Sequence, residues 1–469
     1  MSNTPPNPYS LIPGVDTVLF ALEGQPDLPP LPLPLLTAVV RREIAGMREG
    51  VKVGNVTPAS LEDTMRQIRK KIDSLYRSRI HPVINGTGIC IHTNLGRSPL
   101  QAGAMEAIAK VGSSYNNIEL NLETGERGER GGFLELSLAT LCEAEAATVT
   151  NNCAAALILI LKHLANGERN EVIISRGELV EIGGGFRVPE IMAVSGAQLV
   201  EVGATNKTSL EDYAQAITPR TGMLLKVHRS NFYMEGFTSE PTIDELVALG
   251  QTHGIPVVED LGSGAMLPME SLAPLPHEPT ATEVLHRGVS LVCISGDKLF
   301  GGPQAGIILG KADLIAGLKK EPFFRALRCD KLVLTGMQET VLAYLRSGTG
   351  HGARPDLPLI SLLSASVDDD LRPRGEAILR SLADSSDLEA ALIDSIARCG
   401  GGTMPKAVIP SLALSLKPLR FSVARLAQRL RKRDLPVMGY ITDDSLRLDL
   451  RTIFPAQDKM LLESLLSLS

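Results

Sequence analysis

Between residues 81 and 340, short apolar runs alternate with stretches of helical periodicity, and this alternation constrains the fold more than any other feature of the chain. The runs 147–150, 171–175, 198–202, 223–227, 256–259 and 290–295 are short and apolar, as buried strands are. Segments 154–164 and 243–253 carry helical spacing between them. Strands separated by helices imply βαβ units and a mainly parallel sheet covered on both faces, an α/β fold. Ligands of such sheets sit beyond the carboxyl ends of the strands, so the loops after strands are where chemistry is expected.

The chain has 469 residues, more than one core accommodates. Three regions are expected: 1–80, 81–340 and 341–469. In the first, residues 25–34 hold five prolines and read as an extended spacer. From 35 to 79 the apolar spacing is helical, with Leu36, Val39 and Val40, then Met65, Ile68, Ile72 and Leu75. Residues 41–80 carry ten Lys or Arg against five Asp or Glu, a local excess of +5. A solvated helix face and a nucleic-acid contact both fit that excess. Pro82, Gly86 and Gly88 close the region. At the other end, a helix over 421–433, strands over 437–441 and 445–450, and a helix after Pro455 form a small α+β unit.

Hydrophobic residues make up 44% and charged residues 21%, the balance of a soluble globular protein. No apolar run approaches the roughly 18 residues that span a bilayer. The first forty residues contain no Lys or Arg, so a basic signal-peptide start is missing. Six cysteines are scattered without a CxxC pair or a histidine at ligand spacing, which predicts a reduced cytoplasmic protein without a metal site. The net charge of −6 excludes a basic coat, so any nucleic acid must meet a local patch.

Three loops stand out. Asn151-Asn152-Cys153-Ala154 joins a strand to a nearly all-apolar helix, whose first N–H groups could hold a phosphate. An Asn cap without a ligand reads the same residues equally well. Asp260 ends a strand before Gly262-Ser263-Gly264, and could pair a protonated ring nitrogen, cap a turn or bind a metal. Lys298, in Ser295-Gly296-Asp297-Lys298, follows a buried strand among small residues. Desolvation there would free its amine for a Schiff base, whereas a turn lysine would simply face solvent. A phosphate cradle, a strand-end Asp and a strand-end Lys, in that order, form the constellation for pyridoxal 5'-phosphate (PLP). No GxGxxG or GxxxxGK[ST] follows any strand, which disfavours a nucleotide site. Arg325 and Arg328 are three apart, so on a helix they share a face suited to phosphate-like anions.

Several longer stretches bear on identity. YSLIP at 9–13, HTNLGR at 92–97, SRGELVEIGG at 175–184, KVHRSNF at 226–232, EDLGSG at 259–264, SGDKLFGGPQAGII at 295–308 and RALRCDK at 325–331 together resemble the bacterial selenocysteine synthases, the L-seryl-tRNA(Sec) selenium transferases. The resemblance covers nearly the whole chain. It implies an aspartate-aminotransferase-like PLP fold of type I, with a large PLP-binding domain, a small C-terminal α+β domain and a helical N-terminal domain for selenocysteine tRNA. It further implies a ring of dimers, a decamer, and no membrane partner. By that resemblance Lys298 holds PLP and Asp260 pairs its ring nitrogen, while Asn151, Asn152, Cys153 and Ala154, with Ser295, take its phosphate. Cys153 departs from the family's Asn-rich run. Arg97, Arg325, Arg328 and Asp297 would line the selenophosphate site, and His228 or Arg176 would stack on the ring. Seryl-tRNA(Sec) would become selenocysteinyl-tRNA(Sec) through a PLP-bound aminoacrylyl intermediate, with Lys298 as base. Since the seryl carboxyl is esterified, Arg451 is expected to be structural. A small-molecule PLP lyase of the same fold and a non-catalytic tRNA-binding paralogue are the alternatives.

Overall fold

The computed structural model describes residues 12–23, 25, 27–53, 60–182, 185–348, 354–383 and 387–467. Residues 9–11 of YSLIP, Pro26 of the spacer and the Gly183-Gly184 pair lie outside them. The chain divides into two units, Met1–Pro82 and Val83–Ser469.

The first unit holds three helices, α1 (Val15–Glu23), α2 (Leu33–Lys52) and α3 (Leu61–Arg77). Val40 and Ile44 on α2, and Ile68 and Ile72 on α3, are i, i+4 pairs that bury one stripe each. They meet Val18 and Leu22 of α1 in a single small core. The Ser60 hydroxyl caps α3 by accepting from the Asp63 N–H at 3.1 Å. Two expectations change here. Helix α1 was not foreseen, and α2 starts inside the proline segment at Leu33, because a proline in the first helical turn forfeits no hydrogen bond. On α3, Arg66, Lys70, Lys71 and Arg77 are exposed.

The second unit is built on a seven-stranded sheet: β1 (Ala146–Thr150), β2 (Glu171–Ser175), β3 (Gln198–Val202), β4 (Thr221–Val227), β5 (Val257–Gly262), β6 (Leu291–Ser295) and β7 (Gly306–Gly310). Its spatial order is β1-β7-β6-β5-β4-β2-β3. All neighbours are parallel except β7, which runs antiparallel to both β1 and β6. Every residue of β2, β6 and β7 is buried, which explains why these strands read as continuous apolar runs. Strand β5 extends to Gly262, past its expected end at 259, with its register against β6 shifting between Asp260 and Gly262. Helices α4 (Ala102–Gly112), α5 (Gly132–Leu141) and α6 (Cys153–Leu164) precede or follow β1, and α4 and α5 pack on the long α7 (Lys331–Ser347), which runs through residue 340.

A second, antiparallel sheet contains β8 (Leu388–Ala397), β9 (Ile409–Pro418), β10 (Tyr440–Thr442) and β11 (Ser445–Asp449), ordered β8-β9-β11-β10. Its two long strands were absent from the sequence reading, which placed only the last part of this region. The expected strand 437–441 is interrupted: Val437–Met438 pairs parallel with Ile84–Asn85, and only the remainder joins the sheet. No helix among the described residues is long and apolar enough to cross a membrane.

Candidate active site

The parallel strands β4, β5 and β6, with β1, end at the same sheet edge, and their following loops enclose a cavity of about 630 Å³. Lys298, Asp260, Cys153, Asn152, Arg97, Ser295 and His228 all line it.

Lys298 sits three residues past β6 and is 9% exposed. Its carbonyl accepts from the Ser98 hydroxyl at 2.8 Å and from the Gly301 N–H at 2.9 Å, which pins the backbone beneath the amine. A Cβ on Gly262 would lie 3.9 Å from Lys298 Nζ and 3.7 Å from Asp260 Oδ1, so the positive-φ turn at Gly262 opens the space where amine and carboxylate meet. Burial pushes the Asp260 carboxyl above its usual range, while Lys298, the thiols of Cys293 and Cys153, and His228 pull it down. The cysteines scattered in sequence therefore converge: Cys153, Asp260 and Cys293 have their polar atoms within 4.8 Å of one another.

At the start of α6, Asn152 is the N-cap, its side-chain oxygen accepting from the Ala155 N–H at 2.8 Å. The N–H groups of Cys153 and Ala154 have no acceptor among the described residues, and both residues line the cavity at the positive end of the helix dipole. Asn151 differs, since its N–H already donates to the Leu327 carbonyl at 2.9 Å and its side chain is exposed. Gly306 passes so close that a Cβ there would be 2.2 Å from the Asn152 carbonyl oxygen.

Asp297 is buried, and Arg97 Nη1 donates to both of its oxygens, at 3.0 and 2.8 Å. The Ser295 hydroxyl donates to Asp297 Oδ1 at 2.9 Å, so it supports the acid. The expected grouping of Arg97 with Arg325 and Arg328 does not form within the chain. The 3-10 turn Pro322–Leu327 ends before Arg328, whose backbone is extended, so the two arginines share no helix face. Arg325 is exposed, and Arg328 lines a separate cavity of about 220 Å³ with Glu119, Arg127, Arg130 and Lys319.

Of the two candidates for stacking, His228 lines the cavity, whereas Arg176 is exposed and tied to Glu201 at 3.1 Å and to the Gly203 carbonyl. His228 Nε2 lies 3.0 Å from the buried Glu278, a partner that nothing in the local sequence signals. Burial lowers the imidazole pKa, but Glu278 and Glu259 together outweigh it and the net shift is upward. Arg451 is buried and spends its guanidinium on the carbonyls of Leu362, Leu363 and Pro410.

The family model for L-seryl-tRNA selenium transferase matches residues 83–454. The chain belongs to this family. It is 41% identical to the L-seryl-tRNA(Sec) selenium transferase of Carboxydothermus hydrogenoformans over 94% of each chain. It is 43% identical to that of Aquifex aeolicus, over 84% of this chain and 85% of the other. Among solved structures, a D-glucosaminate-6-phosphate ammonia-lyase aligns with a TM-score of 0.57 at 21% identity, covering 83% of this chain and 95% of that one. That likeness concerns the fold, which is α/β and aspartate-aminotransferase-like, the type I fold of PLP enzymes. A family cofactor of this kind needs an amine, a carboxylate and an anion cradle. The buried lysine, a buried Asp260 with one oxygen that takes no donor from the described residues, and two helix-start N–H groups without an acceptor among them fit it.

Proposed function

We propose that the chain is an L-seryl-tRNA(Sec) selenium transferase, converting seryl-tRNA(Sec) and selenophosphate into selenocysteinyl-tRNA(Sec) and phosphate with PLP as cofactor. The observation that carries this reading is a buried lysine and a buried carboxylate on one cavity, in a chain of this family. Lys298 would hold the cofactor covalently and Asp260 would face its ring nitrogen. The N–H groups of Cys153 and Ala154 would take its phosphate, with Asn152 shaping the turn and Asn151 contributing through its side chain only.

PLP, when bound, supplies the electron sink that acidifies the seryl Cα–H. The Lys298 amine, once released, takes that proton and returns one to the β-hydroxyl as it departs as water. Arg97, oriented by Asp297 and through it by Ser295, draws the selenophosphate anion to the cavity. Arg325 and Arg328 act on the same anion only if a second copy of the chain brings them to it, which agrees with a ring of dimers. Exposed apolar side chains on α4 and α5 (Met105, Phe133 and Leu136) support such self-association. With the seryl carboxyl esterified, no carboxylate clamp is needed, in keeping with Arg451 being spent on carbonyls. The basic face of α3 would meet the tRNA, and a reaction on charged tRNA belongs in the cytoplasm.

The test is incubation with seryl-tRNA(Sec) and selenophosphate. Selenocysteinyl-tRNA is the expected product, and its absence with cofactor-loaded protein would refute the reading. Borohydride treatment should fix the cofactor to Lys298, seen by mass spectrometry, and Lys298→Ala should abolish that adduct while lowering turnover by about 10²–10⁴.

A further inference from the structure

The two oxygens of Asp260 have different surroundings. Oδ1 accepts from Cys153 Sγ at 3.6 Å and from Cys293 Sγ at 3.5 Å, whereas Oδ2 accepts nothing from the described residues. The thiols come from two elements. Cys153 opens α6, and Cys293 stands directly across from Asp260 in the β5–β6 register. A carboxylate gripped at one oxygen from a helix start and a neighbouring strand has little freedom to rotate.

Two thiols and a carboxylate are also a donor set for a thiophilic metal. That would require both thiols as anions. The neighbouring Cys153 thiol, burial and the Asp260 carboxylate push the Cys293 thiol well above its ordinary value. With no metal bound the proton stays on sulfur, and the thiol acts as a hydrogen-bond donor.

We propose that Cys153 and Cys293 are positioning residues for the cofactor's ring nitrogen: their S–H groups occupy Oδ1 of Asp260, stabilise its anion and reserve Oδ2 for the ring. The proposal rests on the reading that Asp260 faces PLP. Without the thiols, a fully desolvated carboxylate takes up a proton more readily, and a neutral acid holds a protonated ring nitrogen poorly. Serine keeps a hydroxyl donor at each place and alanine keeps none.

The experiment titrates apo wild type, C153A, C293A, C153A/C293A and the matching serine variants with PLP. It reads the dissociation constant by fluorescence and the pH midpoint of the bound cofactor's visible absorbance, with thermal melting of each apo form alongside. Each alanine should weaken PLP by about fivefold and move the pH midpoint, and each serine should restore most of both. C153A, at the cavity edge, carries the test if C293A does not fold. Wild-type affinity and midpoint in a folded alanine variant would overturn the proposal. So would stoichiometric Zn²⁺ held by the apo wild type and lost in C153S/C293S, which would make the cluster a metal site. If wild type takes up no PLP while melting normally, the cofactor reading itself fails, and this inference with it.

Discussion

Arg97 Nη1 bridges both oxygens of Asp297 at 3.0 and 2.8 Å from a backbone with φ of +62°, although the residues lie 200 positions apart. A non-glycine residue in the left-handed region costs about 1–2 kcal/mol, so the ion pair and the Ser98 hydrogen bonds hold a strained backbone in place. Arg97→Ala should lower kcat/KM for selenophosphate by about 10²–10³, and Arg97→Lys should recover little of it because the planar fork is lost. Steady-state kinetics with selenophosphate varied checks this; a change within experimental scatter refutes the role.

Gly306 is required by distance. A Cβ would sit 2.2 Å from the Asn152 oxygen and 2.6 Å from Thr150 Oγ1, so Gly306→Ala must displace the start of α6. Cofactor affinity, followed by fluorescence titration, should fall by an order of magnitude or so while the protein stays folded. Unaltered affinity would show that the α6 start plays no part in holding the phosphate.

The apoprotein should lose stability as pH rises. Burial lifts the Glu259 carboxyl to about 7, against the opposing pull of Lys226 and His228, and burial also raises Asp260, Glu178 and Asp449. A carboxyl with a raised folded-state pKa binds more protons folded than unfolded, so its contribution is complete below the unfolded value and is lost as pH climbs through the folded one. His228, also raised in the folded state, acts with the same sign. For Glu259 the window runs from the reference value of 4.5 to about 7. Glu259→Gln should flatten this part of the Tm-against-pH curve, by about 3 kcal/mol across the window. A curve of unchanged slope in the variant would assign the effect elsewhere.

Arg66, Lys70, Lys71 and Arg77 are exposed on α3, away from its buried Ile68–Ile72 stripe. Replacing Lys70 and Lys71 with Gln should weaken tRNA binding without altering melting, and should reduce the slope of log K against log salt by about one per lost phosphate contact. Filter binding over a salt series measures it. An unchanged slope would move the tRNA contact to another surface.

Strands β2 and β3 and the helix Ile243–His253 were legible to the residue, for two different reasons. A strand leaves a short run of aliphatic residues, nearly continuous in the buried β2 and broken by polar residues in the more exposed edge strand β3, and the helix is punctuated by the Thr242–Glu245 capping box and by Gly254 in the left-handed region. Strand β8, by contrast, reads LEAALIDSIA, a composition that favours helix, and only pairing with β9 makes it a strand. At the site, Lys298 and Asp260 could be singled out because strand-end loops concentrate chemistry, whereas Arg97 is reached through the HTNLGR resemblance. Glu278 and Cys293 could not, since their contacts with His228 and Asp260 arise from packing between distant segments. Arg325 and Arg328 of RALRCDK do not share the helix face that their spacing suggests, because the 3-10 turn ends at Leu327 and Arg328 is extended.

The antiparallel β7 has a further consequence. Because Gly306 pairs with Ser295 on one side and with Thr150 on the other, the ten residues between Ser295 and Gly306 fix the span from Lys298 to the first turn of α6. Inserting or deleting a single residue in that span would carry an inward side chain to the opposite face of β7, and would bring a bulkier residue against Asn152. The segment is thus a ruler of set length. Its composition can drift among residues that fit, but its residue count cannot.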